Sequence, residues 1–289
     1  VSPARATRTE LAKWLTHPQN APALRLAANR LWQQHFGRPL ASPEDFGTQG
    51  QAPTHPALLD WLATELPRRR WSLKAMHRLI MLSKTYRQSS TPAKAAPEFD
   101  AENRLLWRFP RRRLDAESIR DSILFLSGEL DTRMGEAHPF PSSGSWSFSQ
   151  HAPFRAVYPV KKRSVYLMTQ RISRHPFLAI FDGADTNAST ASRIETTVPT
   201  QALFFMNSEF VHQNARAYAK KLAALTNDRG EQIERACRSL LGRPPGKLER
   251  ARLSSFLESY EKTLGNTDES ALEALFRVLV ASNEFIYLD

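Results

Sequence analysis

The chain has 289 residues, of which 41% are hydrophobic and 24% charged, a composition typical of a folded globular protein and not of a disordered one. Its apolar runs, for example those at 202–206 and 278–281, are far shorter than the roughly 20 residues that a membrane-spanning helix needs. A single cysteine, Cys237, excludes an internal disulfide, a multi-cysteine metal cluster and a two-cysteine haem attachment motif in this chain.

The formal net charge is +11. A basic balance of this kind favours a polyanionic partner, such as nucleic acid, an acidic glycan or an anionic surface. The alternative is that the charge serves only solubility. Many arginines stand close to carboxylates in the sequence, so we expect internal ion pairs to neutralise part of the charge.

Apolar residues recur at spacings of three and four along most of the chain, which predicts a multi-helical fold. In chain order, helices are predicted at about 10–15, 22–36, 54–70, 72–83, 115–130, 199–225, 230–241, 247–261 and 268–282. Gly37 suits a helix end, whereas Thr54 and Ser72 suit helix starts. The intervening segments are predicted loops, including a serine-rich loop at 142–149.

The β-branched and aromatic residues at 164–169 predict a short strand. The fold class is therefore predicted as mainly α, a multi-helical globular domain with a small β element near residues 164–169. We expect a single domain over residues 1–289, with a C-terminal helical subdomain at 227–289 as the alternative division.

The densest polar cluster is the segment RRRLDAESIRD at 111–121. On one continuous helix, Arg113, Glu117 and Asp121 would share a face, and Arg120 would lie beside Glu117. Two carboxylates among arginines could form a ligand or acid–base site if burial raised the pKa of one of them. Because nearby arginines lower carboxylate pKa values, we favour a structural network in which these side chains pair mainly with one another.

Further candidates for binding anions are Arg30, Arg163, Arg174 and Arg193, because a guanidinium group holds a carboxylate, sulfate or phosphate at two points. Arg163 precedes the predicted strand and Arg193 follows a turn-rich segment, so both could face one cleft. The alternative is that such arginines are exposed or paired with Asp182 or Asp185. The candidate ligand-binding cluster therefore comprises Arg30, Arg113, Glu117, Arg120, Asp121, Arg163 and Arg193.

Metal-binding and catalytic motifs have little support in the sequence. The eight histidines show no His-x-x-x-His spacing, and His35, Asp45 and His55 could meet only through the loop between them. Segment 182–187 has oxygen ligands but lacks the EF-hand pattern, and Gly-x-Ser-x-Gly is absent. The helix pair at 57–84 has the spacing of a helix-turn-helix, which is common in helical proteins. We therefore assign no catalytic residue and predict no metal site.

Several motifs occur in a fixed order along the chain. They are ELAKWLT at 10–16, NRLW at 29–32, FGR at 36–38, DFGTQG at 45–50, RRRLDAE at 111–117, PTQAL at 199–203, GRPP at 242–245 and ASNEF at 281–285. Together these motifs resemble the planctomycete-specific domain of unknown function. That domain lies at the C-terminal end of multi-domain proteins that carry a planctomycete-type cytochrome c module, and the resemblance covers nearly the whole chain.

The resemblance implies an exported, periplasmic setting, haem on a neighbouring module and none in this chain, and a polysaccharide-related context. The chain begins at Val1 without a signal peptide, so we expect a piece of a larger exported protein. The favoured function is a non-catalytic helical module that docks onto neighbouring domains of the same polypeptide. The first alternative is an enzyme or binding site for an anionic, sulfated or carboxylated polysaccharide, and the second is nucleic-acid binding.

Overall fold

The computed structural model describes residues 7–42, 46, 50–91, 98–135, 160–169, 171, 174–190, 193–264 and 268–288. Within these residues the chain forms twelve α-helices, two 3-10 helices and two strands of two residues each. The prediction of a mainly α fold is therefore confirmed. None of the described helices has the length and apolarity that crossing a bilayer requires. The predicted serine-rich loop at 142–149 lies outside the described residues.

The chain divides into two compact units, and the first comprises residues 1–112 together with residue 289. Its helices are α1 (Arg8–Leu15), α2 (Ala21–Phe36), α3 (Pro56–Arg68) and α4 (Leu73–Met81), with a 3-10 helix at Glu98–Asp100. Helix α2 packs against α3 and α4. The core of this unit is formed by buried side chains that include Trp32, Phe36, Leu59, Leu62, Leu66, Met76, Ile80 and Phe109.

Most helix ends of the first unit follow signals in the sequence. Gly37 adopts a left-handed conformation with φ +74° and ends α2, as predicted. The Ser72 side chain caps α4, as predicted, by accepting a hydrogen bond from the Ala75 N–H at 3.3 Å. The predicted Thr54 cap is wrong, because α3 begins at Pro56, directly after His55, with no side-chain cap. Proline suits this first position since its fixed φ is already helical.

The second unit comprises residues 113–288. Its helices are α5 (Ala116–Ser127), α6 (Pro176–Ile180), α7 (Pro199–Asn207), α8 (Glu209–Leu225), α9 (Arg229–Leu241), α10 (Lys247–Leu264), α11 (Asp268–Val280) and α12 (Asn283–Ile286). Helix α8 contacts α5, α7, α9 and α11. The core between these helices includes Ile119, Ile123, Phe205, Val211, Ala215, Leu272, Leu275 and Phe276.

Two predicted helices of the second unit differ from the observed ones. The predicted helix at 199–225 is two helices, because Ser208 is extended (φ −73°, ψ 128°) and interrupts the run of helical hydrogen bonds. The predicted helix at 115–130 ends at Ser127, because Gly128 takes a left-handed conformation with φ +83°. Helices α9, α10 and α11 pack on each other, and α9 and α11 also contact α8. The single domain over 1–289 and the subdomain at 227–289 stay predictions.

The small β element lies elsewhere than predicted. Strands β1 (Arg112–Arg113) and β2 (Tyr287–Leu288) form a two-stranded sheet. The strand predicted at 164–169 is wrong, because Ser164–Tyr166 is a 3-10 helix. The Ser164 N–H donates to the carboxylate of Asp121 on α5 and not to a neighbouring strand, so a side chain satisfies the backbone there.

Candidate functional site

An open groove of about 700 Å³ lies between α5 and the segment that follows residue 160 in the second unit. Its charged lining consists of Asp115, Glu117, Asp121, Arg163 and Arg193. Its apolar lining consists of Phe125, Leu130, Val165, Leu167 and Leu178. The groove therefore brings together four of the seven candidate residues, namely Glu117, Asp121, Arg163 and Arg193.

Helix α5 places three of the lining side chains on one face, since Glu117, Asp121 and Phe125 are four residues apart. Asp115 is the N-cap of the helix, and its carboxylate accepts a hydrogen bond from the Ser118 N–H at 2.7 Å. A negative charge at this position also interacts favourably with the helix dipole. The cap and the helical spacing fix the positions of the carboxylates of Asp115, Glu117 and Asp121.

The Glu117 carboxylate is held by Arg193 in a two-point contact. The two guanidinium nitrogens donate to its two oxygens at 2.5 and 3.0 Å. This hydrogen bonding raises the pKa of Arg193, although burial opposes it. Both side chains keep contact with solvent at the groove wall, because 39% of Arg193 and 27% of Glu117 are exposed. Glu117 is thus engaged by an arginine that lies 76 residues away in the sequence.

The Asp121 carboxylate, on the same face of α5, joins this helix to the 3-10 helix at Ser164–Tyr166. It accepts hydrogen bonds from the Ser164 N–H at 2.8 and 3.0 Å and from the Ser164 hydroxyl at 2.7 Å. Arg120 is its only ion-pair neighbour among the described residues, at 3.5 Å. These bonds fix the 3-10 helix against α5, which gives Asp121 a structural role.

Arg120 does not point into the groove. Its guanidinium is buried and donates to the carbonyls of Val160 and Lys162 and, at 3.1 Å, to the Ser164 hydroxyl. Burial lowers the pKa of Arg120, although Asp121 opposes this effect. Burial, and secondarily the charge of Arg120, also lowers the pKa of His175 to about 4, so that this imidazole is neutral near pH 7. Arg120 therefore holds the backbone and is not placed to grip an external anion.

Arg113 also serves the interior of the second unit. It precedes α5 in strand β1 and pairs with Asp182 at 2.6 Å. It also donates to the Thr196 carbonyl and, at 3.3 Å, to the side chain of Gln201. Burial alone would raise the pKa of Asp182, but the hydrogen bonds from Arg113 and Thr196 outweigh it and the pKa is lowered.

The expected pairing within 111–121 is formed by Arg120 and Asp121, at 3.5 Å, but not by Arg113 or Glu117. Glu117 pairs with Arg193, and Arg113 pairs with Asp182. The helical face proposed for Arg113, Glu117 and Asp121 fails because α5 begins only at Ala116. The sequence did not predict Ser164 as the hydrogen-bond partner of Asp121. The one signal for Ser164 was its position directly after the candidate Arg163.

The remaining two candidates occupy different surroundings. Arg163 lines the groove and is exposed, and its side chain forms no ion pair or hydrogen bond among the described residues. Arg30 lies on α2 of the first unit, where it is exposed, and is not among the residues that line the groove. Of the candidate arginines, Arg163 and Arg193 line the groove, whereas Arg30, Arg113 and Arg120 are not among its described lining residues. A binding role for the candidate cluster stays a prediction.

The alternatives for metal binding gain no support from the described residues. These residues contain no group of three His, Cys, Asp or Glu side chains arranged for a metal ion. His35 bonds to His77 at 2.8 Å, and Asp45 lies outside the described residues. Asp182 and Asp185 are engaged by Arg113 and Arg174 respectively. Burial raises the pKa of the Cys237 thiol, which leaves it protonated and unreactive.

The chain belongs to the family described as PSD1, protein of unknown function (DUF1553), whose family model matches residues 7–257. No curated protein and no solved structure matches the chain. The identification as a domain of unknown function is thereby confirmed. The planctomycete origin and the cytochrome c context stay predictions.

Proposed function

We propose that this chain is a non-catalytic helical module that docks onto neighbouring domains of the same polypeptide through the groove beside α5. One observation carries the proposal: Phe125 and Val165 line the same groove and leave 64% and 77% of their surface exposed. Large apolar side chains that cluster at a concave surface are typical of an interaction site. The setting proposed by resemblance is an exported protein, periplasmic, with haem on a neighbouring module.

The charges around the groove support protein docking. Among the described residues, three carboxylates and two guanidiniums line the groove together with the exposed apolar pair. Protein interfaces commonly combine an apolar centre with a polar rim of both signs. Covering the exposed parts of Phe125 and Val165 would contribute about 2–3 kcal/mol. Arg163, which has no described partner, adds a requirement for a carboxylate on the docking surface.

A second apolar surface in the first unit supports the same function. Helix α1 buries none of its residues, although a capping box of Thr7 and Glu10 stabilises its start. Leu11, Trp14 and Leu15 share one face and are 54%, 62% and 44% exposed. An eight-residue helix is marginal on its own in water. A neighbouring domain that covers this face would stabilise the helix.

The proposal is tested by hydrogen–deuterium exchange on the chain alone and within its full-length polypeptide. We expect amides of α5 and of 163–167 to exchange more slowly in the full-length protein. Replacing both groove residues, F125S with V165S, should abolish that protection. The matched control is Leu248→Ser on α10, a side chain that is 64% exposed and does not line the groove. Equal exchange of the groove amides in both contexts would refute docking at this surface.

Binding of an anionic polysaccharide, by a catalytic or non-catalytic site, is the second candidate function. The collection of Glu117, Asp121, Arg163 and Arg193 in one groove favours it. Against it, the part of the groove lining that the structure describes has three carboxylates for two guanidiniums, and Arg193 is already paired. If the groove binds an anionic polysaccharide, Arg163→Gln should weaken retention of the protein on dextran sulfate. Unchanged retention would exclude the groove as the anion site.

Nucleic-acid binding is the least favoured candidate. It would use the basic surface of α3 and α4, whose spacing is that of a helix-turn-helix. Such binding must weaken steeply as salt increases, because it depends on counterion release. A duplex DNA titration that shows no binding, or binding independent of salt, would dismiss it.

A further inference from the structure

A second cavity, of about 480 Å³, lies on the surface of α8 in the second unit. Four of its lining residues, Gln213, Arg216, Ala217 and Lys220, share one face of the helix because they are spaced by three and four. Lys161 belongs to another segment of the lining. None of these residues belongs to the groove beside α5.

The charges of this cavity are mostly positive and only partly neutralised. Glu129, the one acidic side chain among the described lining residues, is paired with Lys161. Arg216 reaches carboxylate oxygens only at 3.5 Å and 4.0 Å, on Glu209 and Glu273, and its side chain is 51% exposed. Lys220 is exposed and has no partner among the described residues. Two cations are therefore available to a ligand.

Neutral polar groups complete the cavity. Gln213 is exposed, and its amide has no described partner, so it can donate a hydrogen bond. Ser127 and Asn214 already bond to each other at 2.7 Å and form a fixed polar wall. Ala217 lines the same face of α8 as Arg216 and Lys220, and its short side chain occupies little of the cavity. The lining residues that the structure describes include no aromatic ring on which a nucleobase could stack.

We propose that this cavity binds a sulfate or carboxylate group of an acidic polysaccharide. The ammonium of Lys220 and the guanidinium of Arg216 pair with the anion, and the Gln213 amide donates a hydrogen bond to it. A mixture of cations, amides and hydroxyls suits a sugar that carries anionic substituents. The inference shares its ligand class with the second candidate function and rests on it, but it uses residues outside the groove.

The test measures binding of the chain to immobilised dextran sulfate and polygalacturonate at about 0.1 M salt, with uncharged dextran as a blank. The two polymers separate sulfate from carboxylate recognition. The site variant carries R216Q with K220Q. The control carries K247Q with R252Q on α10, which removes the same charge from two exposed residues that no described partner engages. A third variant, Ala217→Leu, keeps every charge and fills the cavity.

We expect the site variant to bind at least one of the polymers roughly tenfold more weakly, since it loses two exposed charge contacts. Ala217→Leu should weaken binding by a similar factor, and the α10 control should bind like the original chain. Equal weakening of the site and control variants would overturn the proposal in favour of unspecific attraction by net charge. Full binding by Ala217→Leu would also overturn it.

Two further outcomes separate this site from the proposed functions. If the α8 variants still bind the polymers and Arg163→Gln does not, the α8 site is overturned. Polysaccharide binding would then be assigned to the groove. Absence of any binding by the original chain would overturn both the α8 site and the second candidate function. Neither result bears on docking through Phe125 and Val165, which is measured by hydrogen exchange. Tighter binding to duplex DNA than to both polymers would overturn the proposed polysaccharide ligand in favour of nucleic acid.

Discussion

Replacing Asp182 with asparagine tests the buried ion pair that organises the candidate region. The substitution keeps the size of the side chain and removes its charge, which leaves the Arg113 guanidinium without a counter-ion. The Arg113 side chain is only 6% exposed, and that of Asp182 is 17% exposed. Breaking a buried pair from one side costs about 3–5 kcal/mol.

The expected loss lies below the upper end of that range. Asparagine retains an oxygen that can accept the Thr196 N–H, which bonds to Asp182 at 2.9 Å. It also tolerates the left-handed backbone at this position, where φ is +57°. We therefore expect the free energy of unfolding to fall by about 2–3 kcal/mol. With a urea dependence of about 2–3 kcal/mol per molar, the midpoint should decrease by about 1 M.

The assay is urea unfolding followed by far-UV circular dichroism. Tryptophan fluorescence is a poor reporter here, because five of the six tryptophans lie within residues 1–112. Asp185→Asn is the matched control, since it removes the same charge from an exposed pair with Arg174. The control should unfold at the midpoint of the original chain.

The same pair predicts a pH dependence with a definite sign. The pKa of Asp182 is lower in the folded chain than in the unfolded chain. Its contribution to the free energy of unfolding is therefore present above the pKa of the unfolded chain and is lost as pH falls through the pKa of the folded chain. The original chain and Asp182→Asn should therefore differ most in their free energy of unfolding at neutral pH. This difference should shrink below about pH 4. Identical midpoints at neutral pH, or a difference that grows with acid, would refute this account.

Three further substitutions test the fold itself. Gly242→Ala should cost about 1 kcal/mol because Gly242 ends α9 at φ +74°, whereas Gly246→Ala, which has open space and no positive φ, should cost much less; thermal unfolding of both compares them directly. Burial, and secondarily the charge of His77, lowers the pKa of His35. The first unit should therefore lose stability as pH falls below about 6.5. His35→Gln should reduce this loss, as measured by unfolding followed through tryptophan fluorescence. Ile123→Ala, at a fully buried position of α5, should cost about 2–5 kcal/mol, and a change below about 1 kcal/mol in urea unfolding would contradict its place in the core.

Local signals explain which parts of the fold could be predicted. The ends of α2 and α4 follow from Gly37 and Ser72, because caps depend only on residues within one turn. The broken helix at Ser208 could not be predicted in this way. Nothing in the neighbouring residues forbids a helix there, and the extended backbone is a property of the packed unit. The 3-10 helix at Ser164–Tyr166 replaces a predicted strand for a similar reason, since its backbone is held by Asp121.

The sequence by itself determined the helical class, most helix positions and the family, because periodicity, caps and ordered motifs are all local properties of the chain. It also identified Glu117, Asp121, Arg163 and Arg193 as residues to examine together. Only the tertiary structure decided the partners, which lie 69 residues away for Arg113 and 76 for Glu117. A charge pairs with whatever the fold brings within a few ångströms. Sequence spacing carries no information about such distant contacts, nor about the exposure of Phe125 and Val165 in the groove.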